Sequence, residues 1–157
     1  MTTSPVLETL QKFRLIIGAV RQHSLELESA CGISGAQVWM LASIENTPDI
    51  TVSQLSQTLS VHISTASNLL DKLARAGLVE RIRSEEDRRV VRLRLTDAGR
   101  DILARAPRPL TGLVVDALEK MPPDALARLN TELSSVIEHL NLIDEKAANV
   151  PLSNLVR

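Results

Sequence analysis

Apolar residues recur every three or four positions through most of this 157-residue chain, a spacing that predicts a largely helical protein. The segment from Thr51 to Thr96 departs from that single pattern. Its order of apolar and polar positions predicts helix, turn, helix, strand, a short charged loop and a second strand. The first of these helices begins at Thr51 or Ser53, and the second runs from about Ser64 to Ala76.

The second of these two helices has one apolar and one polar face. We expect the apolar face to be buried together with the inward residues of the first helix, which gives the set Leu55, Leu59, Ile63, Ala66, Leu70 and Leu73. The opposite face carries Ser64, Asn68, Asp71, Lys72 and Arg75. Gly77 follows, and glycine readily adopts the left-handed conformation that ends many helices.

Residues 78–83 and 90–95 alternate between apolar and polar positions, as half-buried strands do. The residues between them, 84–89, are polar or charged and predict a hairpin tip. A helix-turn-helix followed by such a hairpin is a winged helix-turn-helix, which places one helix in a DNA groove and the hairpin beside it. The expected fold is therefore mainly α with a small β-hairpin wing.

Apolar helices flank this unit on both sides. Residues 6–29 form a helical pattern that is too apolar for a helix standing alone, so it should pack on something, for example another subunit. Ser34 and Gln37 predict a capping box at the start of the next helix. Thr96 should cap a long helix that the prolines at 107 and 109 kink or split near residue 106. The last helix is expected over residues 124–143, and the tail after it lacks clear periodicity.

We interpret residues 1–157 as one domain with a winged part over 34–96. A winged domain of roughly 60 residues builds its own small core, so the flanking apolar helices need another purpose. An isologous two-fold dimer is the commonest use of such faces. Residues 5–30 and 97–144 are therefore predicted to be dimerisation helices.

The distribution of charge is more informative than the net charge of −1. Residues 72–108 hold 11 basic and 6 acidic side chains, whereas residues 1–71 hold 3 and 6, and residues 109–157 hold 4 and 7. A cationic middle between acidic flanks indicates a DNA-binding face on an otherwise acidic body. The alternative is a solvated hairpin with ordinary charge alternation.

The composition and motifs of the chain also bear on its cellular compartment and on whether it is an enzyme. A single cysteine allows no internal disulfide and favours a reducing compartment, and no apolar run suits a membrane span or a signal peptide. We therefore expect a cytoplasmic protein. The histidines at 23, 62 and 139 are far apart, and neither a phosphate-binding glycine loop nor a nucleophile elbow occurs. No metal site, cofactor or enzymatic activity is expected.

Two motifs resemble those of MarR-type transcription regulators. Residues 65–73 (TASNLLDKL), followed by Gly-Leu-Val at 77–79 and Arg81, are similar to their recognition-helix segment. The run Asp-Arg-Arg at 87–89, followed by LRLTDAG at 93–99, is similar to their wing signature. The resemblance covers nearly the whole chain. It implies a homodimer, a palindromic operator, usually repression, and often release by a small aromatic or phenolic ligand or by cysteine oxidation.

The second helix of the motif is the candidate reader of DNA bases. Its front carries no cation before Lys72, and Asn68 occupies a position that is frequently basic in MarR-type relatives. Base contacts must therefore come from hydroxyl and amide groups, since asparagine pairs with an adenine edge and serine with several bases. We expect phosphates to be held by His62, Thr65 and the first backbone N–H groups of this helix. The full set of expected DNA contacts from the helix is His62, Ser64, Thr65, Ser67, Asn68, Lys72 and Arg75. A capping cluster on an exposed helix is the alternative.

The wing supplies the other candidate contacts. By resemblance, Arg89 enters a narrow minor groove and Asp87 orients it through a charge-assisted pair, with Arg88 as the competing residue. The remaining cations of the hairpin should clamp phosphates unless they pair with a hairpin carboxylate such as Glu85 or Glu86. These cations are Arg81, Arg83 and Arg92.

The sequence also offers candidate residues for an effector site. Trp39 and His23 are the candidate pocket residues for a small aromatic acid, with Arg14 as the partner of its carboxylate, and core packing is the alternative. Cys31 is either a redox sensor or a small buried hydrophobe. A regulator without a ligand would share every motif described above.

Overall fold

A computed structural model describes residues 4–141 and 143–156, and it has the mainly α fold with one antiparallel hairpin that the sequence predicts. The helices before the hairpin are α1 (Pro5–Cys31), α2 (Gly35–Asn46), α3 (Val52–Thr58) and α4 (Ile63–Arg75). The hairpin consists of β1 (Val79–Arg83) and β2 (Val91–Leu95). After it come α5 (Asp97–Arg105), α6 (Leu113–Glu119), α7 (Pro123–Glu138), a 3₁₀ helix (Glu145–Asn149) and α8 (Leu152–Leu155).

Polar caps start three of the described α-helices. The predicted capping box of α2 is confirmed, with the Ser34 hydroxyl accepting from the backbone N–H of Gln37 at 3.3 Å and the Gln37 side chain accepting from Ser34 at 3.0 Å. Thr51 and Gln54 form a second capping box, which decides that α3 is capped by Thr51. Thr96 caps α5 as expected. These local hydrogen bonds fix where the winged part begins and ends.

The helices after the hairpin are shorter than the apolar pattern suggested. The predicted long helix is split, since α5 ends at Arg105 and α6 begins only at Leu113. This confirms the break predicted at the prolines, which lack the N–H that would continue a helix. The last long helix ends at Glu138 instead of reaching residue 143, because the N–H of His139 closes a tighter turn onto the carbonyl of Val136 at 3.1 Å.

The hydrophobic core lies between α2, α4 and the inner face of the hairpin. Its fully buried members include Leu41, Leu55, Leu70 and Leu93. The expected inward residues of α3 and α4 are buried, with one exception. Ile63 is 56% exposed, so its predicted burial is wrong. It is the first residue of α4 and lies at the edge of the buried stripe, which Leu69 joins instead.

The hairpin is held to the body by its second strand. The N–H of Leu93 donates to the carbonyl of Ile50 at 3.0 Å, just before α3. On the outer face, Arg94 Nε lies 2.9 Å from a carboxylate oxygen of Asp49. This hydrogen bond from Arg94 lowers the pKa of Asp49. The base of the wing is therefore anchored, and only its tip projects from the body.

The C-terminal tail has structure that the sequence did not indicate. The 3₁₀ helix runs near the start of α4, where the carbonyl of Asn149 accepts from the backbone N–H of His62 at 3.4 Å. Immediately after it, α8 packs against α1. In the ranges described, no helix has the apolar length that crossing a bilayer requires.

Candidate nucleic-acid interface

The front of α4 and the inner face of the hairpin border one groove. Ser67 and Asp71 line it from α4, and Arg81 and Arg83 line it from β1. Along α4, the predicted contacts divide by exposure. Thr65 and Ser67 are half-buried, whereas the others are exposed, namely His62, Ser64, Asn68, Lys72 and Arg75. We call this front together with the hairpin the α4–wing surface.

Arg81 has a specific partner in this groove. Its guanidinium forms an ion pair with Asp71 of α4, and not with Glu85 or Glu86 as the sequence allowed. Both side chains are more than a third exposed, so the pair contributes only about 0–1 kcal/mol to stability. Its structural effect is to brace the wing against α4. Arg81 is consequently less available as a phosphate clamp than the unpaired cations nearby.

The hairpin tip is organised by Asp87, but not in the way the wing signature suggested. One carboxylate oxygen of Asp87 accepts from the backbone N–H of Arg89 at 3.0 Å. The backbone carbonyl of Asp87 accepts from Val90 at 2.9 Å. The expected charge-assisted pair between Asp87 and the Arg89 guanidinium is not formed. Asp87 therefore shapes the turn, and the side chains of Arg88 and Arg89 remain exposed.

Most cations of the α4–wing surface have no carboxylate partner. Within residues 4–141 and 143–156, six of them form no ion pair, whereas Arg81 pairs with Asp71 and Arg94 pairs with Asp49. The six are Lys72, Arg75, Arg83, Arg88, Arg89 and Arg92. An uncompensated group of this kind gives a positive potential that attracts polyanions.

The start of α4 is chemically open. No side chain in the described part of the chain caps its first turn, so the first backbone N–H groups of α4 point outward from the helix end. The N–H of His62 is different, because it already donates to Asn149. The expected contribution of backbone N–H groups to phosphate binding is thus restricted to residues after His62.

Comparison with known proteins identifies the family. Residues 33–91 match the model of the MarR family. The HTH-type transcriptional regulator YsmB of Bacillus subtilis is 30% identical over 106 residues, which are 66% of this chain and 73% of that protein. The chain belongs to the MarR family.

Two further proteins similar to this MarR-family chain are informative. The HTH-type transcriptional repressor MdtR of Bacillus subtilis is 31% identical over 80 residues, covering 51% of this chain and 52% of that protein. The crystal structure of Streptococcus pneumoniae FabT in complex with DNA matches with a TM-score of 0.56 and 30% identity, over 85% of this chain and 93% of that chain. The protein is thus a winged helix-turn-helix transcriptional regulator.

Packing explains one glycine of this MarR-family protein's wing signature. A Cβ added to Gly99 would lie 2.3 Å from the carbonyl oxygen of Leu78, much closer than van der Waals contact. The first turn of α5 therefore passes directly against the junction between α4 and β1. A glycine is required for this approach, since a backbone oxygen cannot move aside as a flexible side chain does.

Two of the three predicted effector residues of this MarR-family protein lie together. His23 and Trp39 line a cavity of about 80 Å³ that α6 and the C-terminal residues Pro151 and Leu152 also border. His23 is buried, with Nε2 3.1 Å from the carbonyl oxygen of Pro109. Arg14 is not at this cavity. It is exposed, about 13 Å before His23 along α1 at a rise of 1.5 Å per residue.

The single cysteine is poorly placed for oxidation chemistry. Cys31 is buried at the end of α1. Burial raises the pKa of its thiol, and the nearby charge of Arg105 only partly opposes this. A thiol is the unreactive form, so these properties match the interpretation as a small buried hydrophobe. No group of three or more potential metal ligands was found within the described ranges.

Proposed function

We propose that this protein is a homodimeric, sequence-specific DNA-binding repressor that binds a pseudo-palindromic operator. The observation that carries the proposal is the α4–wing surface, where six cations without carboxylate partners flank a helix front of hydroxyl and amide groups. Support also comes from the relatives, one of which is a repressor and another of which was solved with DNA.

In this proposal α4 enters the major groove. Ser64, Ser67 and Asn68 face the base edges, where the amide of Asn68 pairs with adenine. Thr65, the His62 side chain and the open first turn of α4 hold phosphates, since a helix N-terminus favours an anion. Lys72 and Arg75 continue this contact along the backbone. Phosphate contacts set the position of the helix, and the base contacts specify the sequence.

The wing lies beside the same duplex. Arg89 inserts into the minor groove, where a narrow groove has the most negative potential. Arg88, Arg83 and Arg92 neutralise phosphates around it. Asp87 takes part indirectly, because its carboxylate holds the backbone N–H of Arg89 and so fixes the direction of the tip.

Dimerisation is supported by the apolar side chains that a monomer leaves exposed on two helices. Val6 and Leu15 of α1 are 74% and 73% exposed. Other apolar side chains of the two helices are exposed to a smaller degree, namely Leu7, Leu10, Ile16 and Ile17 on α1 and Leu133, Val136 and Ile137 on α7. This exceeds the scattered apolar residues normal on a monomer, and a two-fold interface would bury both helices. The two copies of α4 would then reach major grooves about 34 Å apart, or a multiple of that distance.

The DNA-binding proposal is tested by selecting bound duplexes from a random pool and measuring affinities by fluorescence anisotropy. We expect a pseudo-palindromic site. Asn68→Ala should cost about 1–3 kcal/mol and relax the preference at one position in each half-site, whereas the control Lys72→Ala should weaken all sequences alike. Failure to bind any duplex at low salt would overturn the proposal.

The dimer is tested by light scattering on a sizing column, where we expect twice the chain mass of 17.2 kDa. Ile137→Asp places a charge on the exposed apolar face of α7 and should give monomers that bind the operator weakly. Ser135→Asp is the matched control, because helical periodicity puts it on nearly the opposite side of α7. A wild-type protein that stays monomeric at micromolar concentration would contradict the dimer.

We further propose that a small aromatic acid binds at the His23–Trp39 cavity and releases the operator. At about 80 Å³ the cavity is smaller than a cavity of roughly 150 Å³ of the kind that binds benzene, so binding of an aromatic acid requires its walls to move. The C-terminal segment is the wall best suited to move, because Pro151 and Leu152 line the cavity and Asn149 contacts the start of α4. Displacement of this segment would connect the cavity to the DNA-reading helix.

Trp39 gives a direct measurement of effector binding, since it is the only tryptophan and borders the cavity. A panel of small aromatic acids should include one that changes its fluorescence and lowers operator affinity about 5–150-fold, the range of a typical allosteric coupling. His23→Leu should abolish the response, and the control Arg14→Ala, which lies outside the cavity, should not. If no acid changes either signal, the ligand-independent regulator is the better description. The buried thiol of Cys31 gives no support to the oxidation-sensing alternative.

A further inference from the structure

Ile63 is a large apolar side chain in an unexpected place. It is the first residue of α4 and is 56% exposed, next to the exposed His62 and Ser64. The other apolar residues of this helix behave differently, since Leu69, Leu70 and Leu73 are all buried. Ile63 therefore presents a branched hydrocarbon to the same side of the molecule as the polar front of α4.

The position of Ile63 relates it to the groove of the α4–wing surface. Residues four apart lie above one another on a helix, so Ile63, Ser67 and Asp71 form one row. Ser67 and Asp71 line the groove between α4 and β1, and Ile63 extends that row to the end of the helix. A helix that enters a major groove contacts base edges mainly with its N-terminal residues. Ile63 is thus placed where a base edge would be met first.

One group in the major groove has chemistry that matches this side chain. The 5-methyl group of thymine is apolar, and side-chain hydrocarbon contacts it, whereas the other base edges present hydrogen-bonding groups. The front of α4 has no cation before Lys72 that could recognise guanine at this end. An exposed isoleucine beside serines thus favours a T·A pair over a G·C pair.

We infer that Ile63 is a specificity-determining residue that contacts the 5-methyl group of one thymine in each operator half-site. The inference rests on the proposed DNA-binding function and adds a chemical preference to it. It predicts that the N-terminal end of α4 selects thymine through its methyl group, while Asn68, further along the helix, selects adenine through hydrogen bonds.

The experiment replaces each operator thymine in turn by uracil, which lacks only the methyl group, and measures affinity by fluorescence anisotropy. Burial of one methyl-sized group changes an equilibrium by about fourfold. Wild type should therefore lose affinity about fourfold for one uracil position in a half-site, and about fifteenfold when both half-sites are changed. Ile63→Ala should bind the thymine and uracil operators equally, and Ile63→Val should retain part of the difference.

The substitutions are compatible with the fold, because the side chain is exposed and alanine favours a helix more than isoleucine does. Circular dichroism melting of each variant verifies this. Equal methyl effects in wild type and Ile63→Ala at every position would overturn the contact while leaving operator binding intact. Loss of all duplex binding by wild type would instead overturn the proposed function, and the contact with it.

Discussion

Replacing Arg89 by alanine removes one exposed guanidinium from the wing tip and leaves the turn unchanged, because the turn uses only the backbone N–H of Arg89. The α4–wing surface has six cations per chain that form no ion pair with any residue that the structure describes. If each neutralised one phosphate, a dimer would neutralise about twelve, and log affinity would fall with log salt at a slope of about −11. This is an upper limit to the slope, because it assumes that every cation reaches a phosphate.

The variant removes two cations from a dimer, so the slope should become shallower by about 2. Between 50 and 200 mM salt, the loss of affinity caused by Arg89→Ala should consequently shrink about tenfold. Anisotropy titrations of a labelled operator at several salt concentrations measure both quantities. Lys120→Ala is the control, since this ammonium already pairs with Asp116 at 2.6 Å on α6. Parallel salt dependences for Arg89→Ala and wild type would refute the assignment of the wing to phosphate or minor-groove contact.

Three other predictions follow from local geometry. Asp87→Asn keeps an oxygen acceptor for the backbone N–H of Arg89 and should preserve or raise operator affinity, whereas Asp87→Ala should lower it. Equal effects of the two substitutions on operator affinity would show that the carboxylate charge matters more than the turn. Gly99→Ala gains about 1 kcal/mol of helix propensity but places a Cβ against a backbone oxygen. This clash should cost about 3 kcal/mol, the upper end for overpacking, so urea unfolding should show a net loss of about 2 kcal/mol. Burial raises the pKa of Cys31, so its thiol should react slowly with iodoacetamide at pH 7 and faster as the pH rises above the usual thiol range. Rapid labelling of the native protein at pH 7 would contradict this.

Several features of the fold were predictable because they depend on residues close together in the chain. A capping box joins a residue to the one three positions later in the chain, so Ser34 and Gln37 indicate the start of α2. The split between α5 and α6 follows from prolines that have no N–H to donate. Gly77 was recognisable as the end of α4, and it has the left-handed φ of 72° that was expected there.

The candidate site was predictable only in part. The sequence indicated which side chains belong to the front of α4 and to the wing, and these two elements do border one groove. The sequence did not indicate which partners the charged side chains of this surface bind. Arg81 pairs with Asp71 across the turn between α4 and β1, and Asp87 binds a backbone N–H in place of a guanidinium. The first outcome depends on a distance that arises only after the hairpin has packed on α4, whereas the second is a local turn contact between residues two positions apart.

The sequence by itself determined the order and type of the elements from α1 to α7, because periodicity, caps and helix-breaking residues act over a few neighbours. Only the tertiary structure decided which end of an apolar stripe is covered and which segments from distant parts of the chain meet. Ile63 has the same spacing as its buried neighbours, yet it is exposed, since burial requires a second element and none of the elements described above covers it. For the same reason the contact between Asn149 and His62 could not be predicted, because the two residues lie far apart in the chain and meet only in the folded protein.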